Sequence, residues 1–154
     1  MATHETVAIR WVAGHVKEAR GYAMFFDGRT IFSYGRHYAI ARFVETSRGT
    51  VCLFNSEGYS VSTAKHRTIT ARVLRRFRPD MPVYAVPFVQ FAEEPGAHMA
   101  NYLDLCRRAY EARDKAKRAR VYKASYLSEA ASLDAQAWDY AALFGIEETA
   151  ALAA

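Results

Sequence analysis

Apolar positions recur at helical spacing along the first stretch of the chain. Ala8, Ile9, Val12, Val16 and Ala19 share one face, which predicts an amphipathic helix over residues 4–19, capped by Thr3 or Thr6 and followed by Gly21. The period then shortens to two. Tyr22–Phe26 and Arg29–Tyr34 flank Asp27-Gly28, the signature of a β-hairpin closed by a type I′ turn. A third strand is expected over 37–45, a fourth over 50–54 and a short fifth over 59–61, separated by Thr46–Gly49 and Asn55–Gly58. Strands joined by tight turns in this way form an antiparallel meander, here about residues 21–62.

Helical spacing returns after Ser62-Thr63, either of which can cap a helix over 63–77. His66, Ile69, Thr70, Val73, Leu74 and Phe77 make its apolar face, and Pro79 and Pro82 end it. Residues 83–91 look extended, but Pro87 restricts them to an edge strand or a packed loop. A long helix starts near Pro95–Ala97, with Met99, Tyr102, Leu103, Cys106 and Tyr110 as its apolar stripe. Asp104/Arg108, Glu111/Lys115 and Asp114/Arg118 are acid-then-base pairs four apart along it. A last helix over about 132–144 would bury Leu133, Trp138 and Leu143, and Gly145 closes it. The fold class expected is therefore α+β. A small antiparallel meander (21–62) is packed with an N-terminal helix, a basic helix (63–77) and C-terminal helices (97–144). All lie in a single domain over 1–154 with a frayed tail from 145.

Composition narrows this picture. An apolar fraction of 51% supports a packed core and excludes global disorder. Apolar runs are short, and the charged N-terminus lacks the layout of a signal peptide, so neither a membrane span nor export is expected. Cys52 and Cys106 lie far apart and are read as free thiols. The net charge of +5 is unevenly spread. Residues 65–78 carry six Lys/Arg and no acid, and residues 107–123 carry eight against two acids. Residues 124–154 carry five acids and no base. Basic blocks of this kind attract polyanions, unless the acidic segment neutralises them internally.

Candidate chemistry gathers at two places, Ser33–Tyr38 and Tyr59–His66. Each puts hydroxyls and an imidazole at a strand end or turn. His37 and His66 could act as an acid–base pair near neutral pH, with Tyr34, Tyr59 and Thr63 around them. His66 can equally be a core histidine, because it lies on the apolar face of its helix. Ser33, Ser60 and Thr63 are explained by capping and turn bonding, since no nucleophile elbow accompanies them. No Cys or His lies at close ligand spacing, so neither metal nor cofactor is expected. Tyr22, Phe26, Phe32, Tyr34 and Tyr38 suit either a core or a base-stacking surface. For phosphates the candidates are Lys65, Arg72 and Arg76 on the first basic helix and Lys117, Arg118 and Arg120 in the second basic block.

The run FDGRTIFSYGRHYAIA followed by NSEGYSVSTAKH resembles a family of small uncharacterised proteins of phages and other mobile elements. The shared core is an SYG-x-H turn, an IA strand, and N…YS-x-x-T-x-x-H leading into a helix, here about residues 22–70. The resemblance implies a mobile-element origin and a bacterial cytoplasm, and it carries no established activity. Taken with the charge blocks, the leading expectation is a non-enzymatic, nucleic-acid-associated accessory protein. One alternative is an anti-CRISPR-like or anti-restriction inhibitor that binds a bacterial nucleoprotein defence complex through its acidic segment. The other is a metal-independent phosphodiester or nucleotide enzyme using His37 and His66. Oligomeric state is not legible.

Overall fold

A computed structural model describes residues 1–58 and 60–146. The architecture is α+β, with four helices and a six-stranded, mostly antiparallel sheet among the described residues. The residues expected to form one domain group into two compact units, Met1–Gln90 and Phe91–Ala154.

In the first unit, helix α1 (His4–Ala13) starts at Thr3, whose Oγ1 accepts from the Thr6 amide at 3.1 Å. It ends earlier than the periodicity suggests. Gly14 adopts the left-handed conformation (φ 70°) and donates to the Arg10 carbonyl, which closes the helix there. Strand β1 (Glu18–Arg20) occupies the far end of the predicted helix and pairs with β2 (Met24–Asp27). The pairing register pulls this segment onto the sheet edge, against its own helical spacing.

Strands β2 and β3 (Thr30–Ser33) form the expected hairpin, but with a different turn. Asp27 pairs with Thr30, so the two loop residues are Gly28 and Arg29. Gly28 has φ 59°, whereas Arg29 is not among the positive-φ residues. Glycine first and an ordinary residue second is the type II′ pattern rather than I′. Strand β4 (Ala39–Thr46) leaves His37 in the turn before it, and β5 (Gly49–Asn55) follows.

Of the short fifth strand expected over 59–61, Tyr59 lies outside the described residues, and Val61 instead opens helix α2 (Val61–Phe77). Ser60 caps it, accepting from the Thr63 amide at 3.1 Å, so the cap lies upstream of the Ser62-Thr63 pair first expected to supply it. Helix α2 then connects β5 to β6 (Val83–Val86), which pairs parallel at the sheet edge just before Pro87. The strand order is β1-β2-β3-β4-β5-β6. Helices α1 and α2 share one apolar cluster with the sheet, in which Val7, Trp11, Phe26, Ile31, Phe43, Val73 and Leu74 are buried. Trp11 stacks on Phe43 with centroids 4.1 Å apart. Of the aromatic set, Phe26, Phe32 and Tyr38 are buried, while Tyr22 and Tyr34 are exposed. Phe77 is also half exposed, because α2 turns its last residues away from the cluster.

The second unit is a helical hairpin of α3 (Ala97–Arg118) and α4 (Lys123–Phe144). The start of α3 meets the end of α4 through His98 and Phe144, so the helices run antiparallel. Helix α4 begins well before residue 132, because no glycine or proline interrupts 123–131. The seam keeps only part of the stripe of large residues predicted: Tyr102 and Leu133 are buried as expected, but most of the rest is small. Leu105, Ala109, Ala112 and Ala116 of α3 face Ala130, Leu133 and Ala137 of α4, and small side chains let the backbones approach. Leu103, Tyr110 and Trp138 remain 40%, 66% and 70% exposed. Asp104–Arg108 and Asp114–Arg118 form as expected, and Arg113 reaches across to Asp134. From residue 147 the tail expected to fray lies outside the described residues.

Candidate functional site

The two segments that carried the resemblance meet at the junction of β3 and α2. Ser33, the last residue of β3, places Oγ 2.7 Å from His66 Nδ1 and 3.2 Å from Thr63 Oγ1. Ser60 Oγ donates to Thr63 Oγ1 at 3.0 Å. With each hydroxyl donating once, the chain runs Ser60 to Thr63 to Ser33 to His66. That direction makes Nδ1 the acceptor and puts the ring proton on Nε2. Ser33 and Thr63 are 1% exposed and His66 is 4% exposed. Burial, followed by the nearby His4, lowers the His66 pKa below its usual value and favours the neutral ring.

The turn before β4 is shaped by the same motif. Tyr34 is the one non-glycine residue with positive φ (65°) among the described residues, and its amide donates to the Ala23 carbonyl at 2.6 Å. A Cβ on Gly35 would lie 2.9 Å from His37 Nδ1, so any larger residue there would push that exposed ring aside. His37 is exposed on its own turn. The rings packed on His66 are those of His4, edge-on at 4.6 Å, and Tyr34 at 5.4 Å. Tyr59 lies outside the described residues. Sequence reasoning missed His4 altogether. It stands at the start of α1, and only the packing of α1 against α2 brings it to His66.

The rest of α2 presents charge. Lys65, Arg72, Arg75 and Arg76 are exposed, and none of their side chains has an ion pair or hydrogen bond to another described residue. Arg67 differs. It is half-buried, donates to the Asn55 carbonyl at 3.0 Å and lies over the Phe54 ring. No protein-family model, curated protein or solved structure matches the chain.

In the second unit, Lys117 and Arg118 are exposed at the end of α3, and Arg120 is exposed in the link to α4. Arg118 is held by Asp114 at 2.5 Å. Arg107 is shared between Asp104 and Glu111, so much of this basic block is neutralised within its own helix. Both cysteines are free, and burial pushes the Cys52 thiol up to about 12. Among the described residues, no group of three His, Cys, Asp or Glu could hold a metal ion. No described helix is long and apolar enough to cross a membrane.

Proposed function

We propose that this chain is a non-enzymatic accessory protein of a phage or mobile element, and that it binds nucleic acid along the exposed face of α2. One observation carries the proposal: Lys65, Arg72, Arg75 and Arg76 project from that face with no acidic partner among the described residues. Lys65, Arg72 and Arg76 stand at i, i+7 and i+11, so they follow one line down the helix. That line is roughly 16 Å long at 1.5 Å per residue, the axial span of about five phosphates on one strand. Fixed cations in such a row gain counterion release on meeting a phosphate backbone. The resemblance over residues 22–70 supports the mobile-element origin.

The enzyme alternative is weaker. The hydroxyls of Ser33 and Thr63 are consumed in the buried chain that pins α2 to β3, out of a substrate's reach. The inhibitor alternative relies on the acidic run from residue 124, where Asp134 is already tied to Arg113 inside its own hairpin.

The test is a titration with single- and double-stranded DNA and RNA at several salt concentrations. Binding should weaken linearly with the logarithm of salt, and R72Q/R76Q should flatten that slope by about 2, one unit per lost phosphate contact. No salt-dependent binding to any of these nucleic acids would remove the proposal.

A further inference from the structure

A second basic feature lies where α2 ends, and the charge blocks of the sequence do not reveal it. The segment after α1, the β2–β3 turn, strands β4 and β5 and the end of α2 enclose a cleft of about 330 Å³. Lys17, Arg29 and Arg78 line it, together with Glu45, Thr50 and the stacked Trp11–Phe43 pair. These cations come from three distant parts of the sequence.

The cleft is held firmly. The Lys17 carbonyl accepts from the Gly28 amide at 2.7 Å, and the Arg29 carbonyl accepts from the Trp11 indole at 2.9 Å. Glu45 accepts from Arg29 at 3.0 Å and from the Thr50 hydroxyl. Those two hydrogen bonds, with Arg29 and Arg78 nearby, hold its carboxyl below the usual range, so it stays ionised and orients Arg29. Three cations against one carboxylate leave a surplus of two positive charges. Lys17 and Arg78 have no ion-pair or hydrogen-bonding side-chain partner among the described residues.

We propose that this cleft seats the phosphate-monoester end of a nucleic-acid strand whose backbone runs along α2. The inference rests on the reading of α2 given above. A phosphate monoester carries about −1.5 to −2 at neutral pH, which matches the surplus better than a diester's single charge. The volume is at the small end of ligand-binding clefts, suited to one sugar-phosphate and too small for a duplex. Arg78 directly follows the last turn of α2, so a strand leaving Arg76 reaches the cleft at once.

The experiment compares one short single-stranded DNA bearing a 5′-phosphate with its 5′-hydroxyl twin. Inorganic pyrophosphate serves as a separate probe. Affinities are measured on the whole chain, and the Trp11 indole and Arg29 Nε resonances are followed by NMR. The phosphorylated strand should bind about tenfold tighter, and pyrophosphate should shift both resonances. K17Q/R78Q should erase the tenfold preference. R72Q/R76Q should weaken both strands alike and keep it. Equal affinity for the two strands, or a preference that survives K17Q/R78Q, overturns the cleft and leaves the α2 reading standing. If neither strand binds yet pyrophosphate still shifts Trp11 and Arg29, the α2 reading fails while the cleft stands as a phosphate site.

Discussion

Ser33→Ala removes one oxygen, and that oxygen joins β3 to α2. In the folded chain it meets both His66 Nδ1 (2.7 Å) and Thr63 Oγ1 (3.2 Å) with almost no solvent access. Its loss leaves a ring nitrogen and a hydroxyl facing a methyl group. A buried polar group left unsatisfied costs about 1–3 kcal/mol. Thr63 can swing partway toward the imidazole and recover some of this, so the expected loss is about 2 kcal/mol. For a unit of this size that corresponds to roughly 8–16 °C in the midpoint of thermal unfolding. Urea unfolding at pH 7.5, followed by far-UV dichroism, measures it directly. Ser47→Ala is the control. Ser47 sits exposed in the β4–β5 turn, and its removal should change stability by no more than about 0.5 kcal/mol. If Ser33→Ala costs no more than the control, the hydroxyl–imidazole chain does not hold α2 to the sheet.

Stability should be flat at mildly basic pH and fall as pH drops below about 6.5. The folded His66 pKa lies below its unfolded value, so the unfolded chain takes up the proton first. Urea midpoints across that range check this, and a midpoint that rises on acidification would contradict it. Gly28→Ala should destabilise by about 1–2 kcal/mol through backbone strain alone, because φ is 59° and a Cβ there meets nothing within 4 Å; an unchanged melting temperature would count against the type II′ turn. Tyr140→Phe should cost about 1–3 kcal/mol, since its hydroxyl meets both His98 Nδ1 (2.7 Å) and Asn101 Nδ2 (2.9 Å); calorimetry that finds no loss would show that this contact does not stabilise the hairpin.

The elements most legible in the sequence were those written in local chemistry. Asp27-Gly28 marked a hairpin, and the spacing of Val73 and Leu74 with Pro79 beyond them marked the body and end of α2. What escaped was decided by partners distant in the chain. Glu18–Arg20 continues a helical pattern yet pairs with β2, because Gly14 has already ended α1. The α3–α4 seam is built largely from alanines, whose weak hydrophobic signal was outweighed by larger residues such as Leu103, Tyr110 and Trp138 that turn out to face solvent. At the candidate site, Ser60, Thr63 and His66 were visible as a cluster because one helix carries them. Ser33 was noticed without its partner, and His4 left no local trace at all. The cleft at the end of α2 was hidden for the same reason: Lys17 and Arg29 lie far in the sequence from the basic block that ends at Arg78, and only the fold brings the three together.

The order of the strands bears on how quickly the sheet can assemble. From β2 to β5 each strand turns back on its predecessor, so those contacts close short loops. The last pairing, β5 with β6, must wait for the whole of α2. Closing that loop costs about 2 kcal/mol more in chain entropy than closing the two-residue β4–β5 turn. The burial of Val73 and Leu74 has to supply the difference. Along the opposite face, Arg72, Arg75 and Arg76 repel one another within a single turn of helix. A polyanion lying on that face would relieve the repulsion, so the ligand proposed for the finished molecule would also stabilise the helix that the β5–β6 pairing depends on.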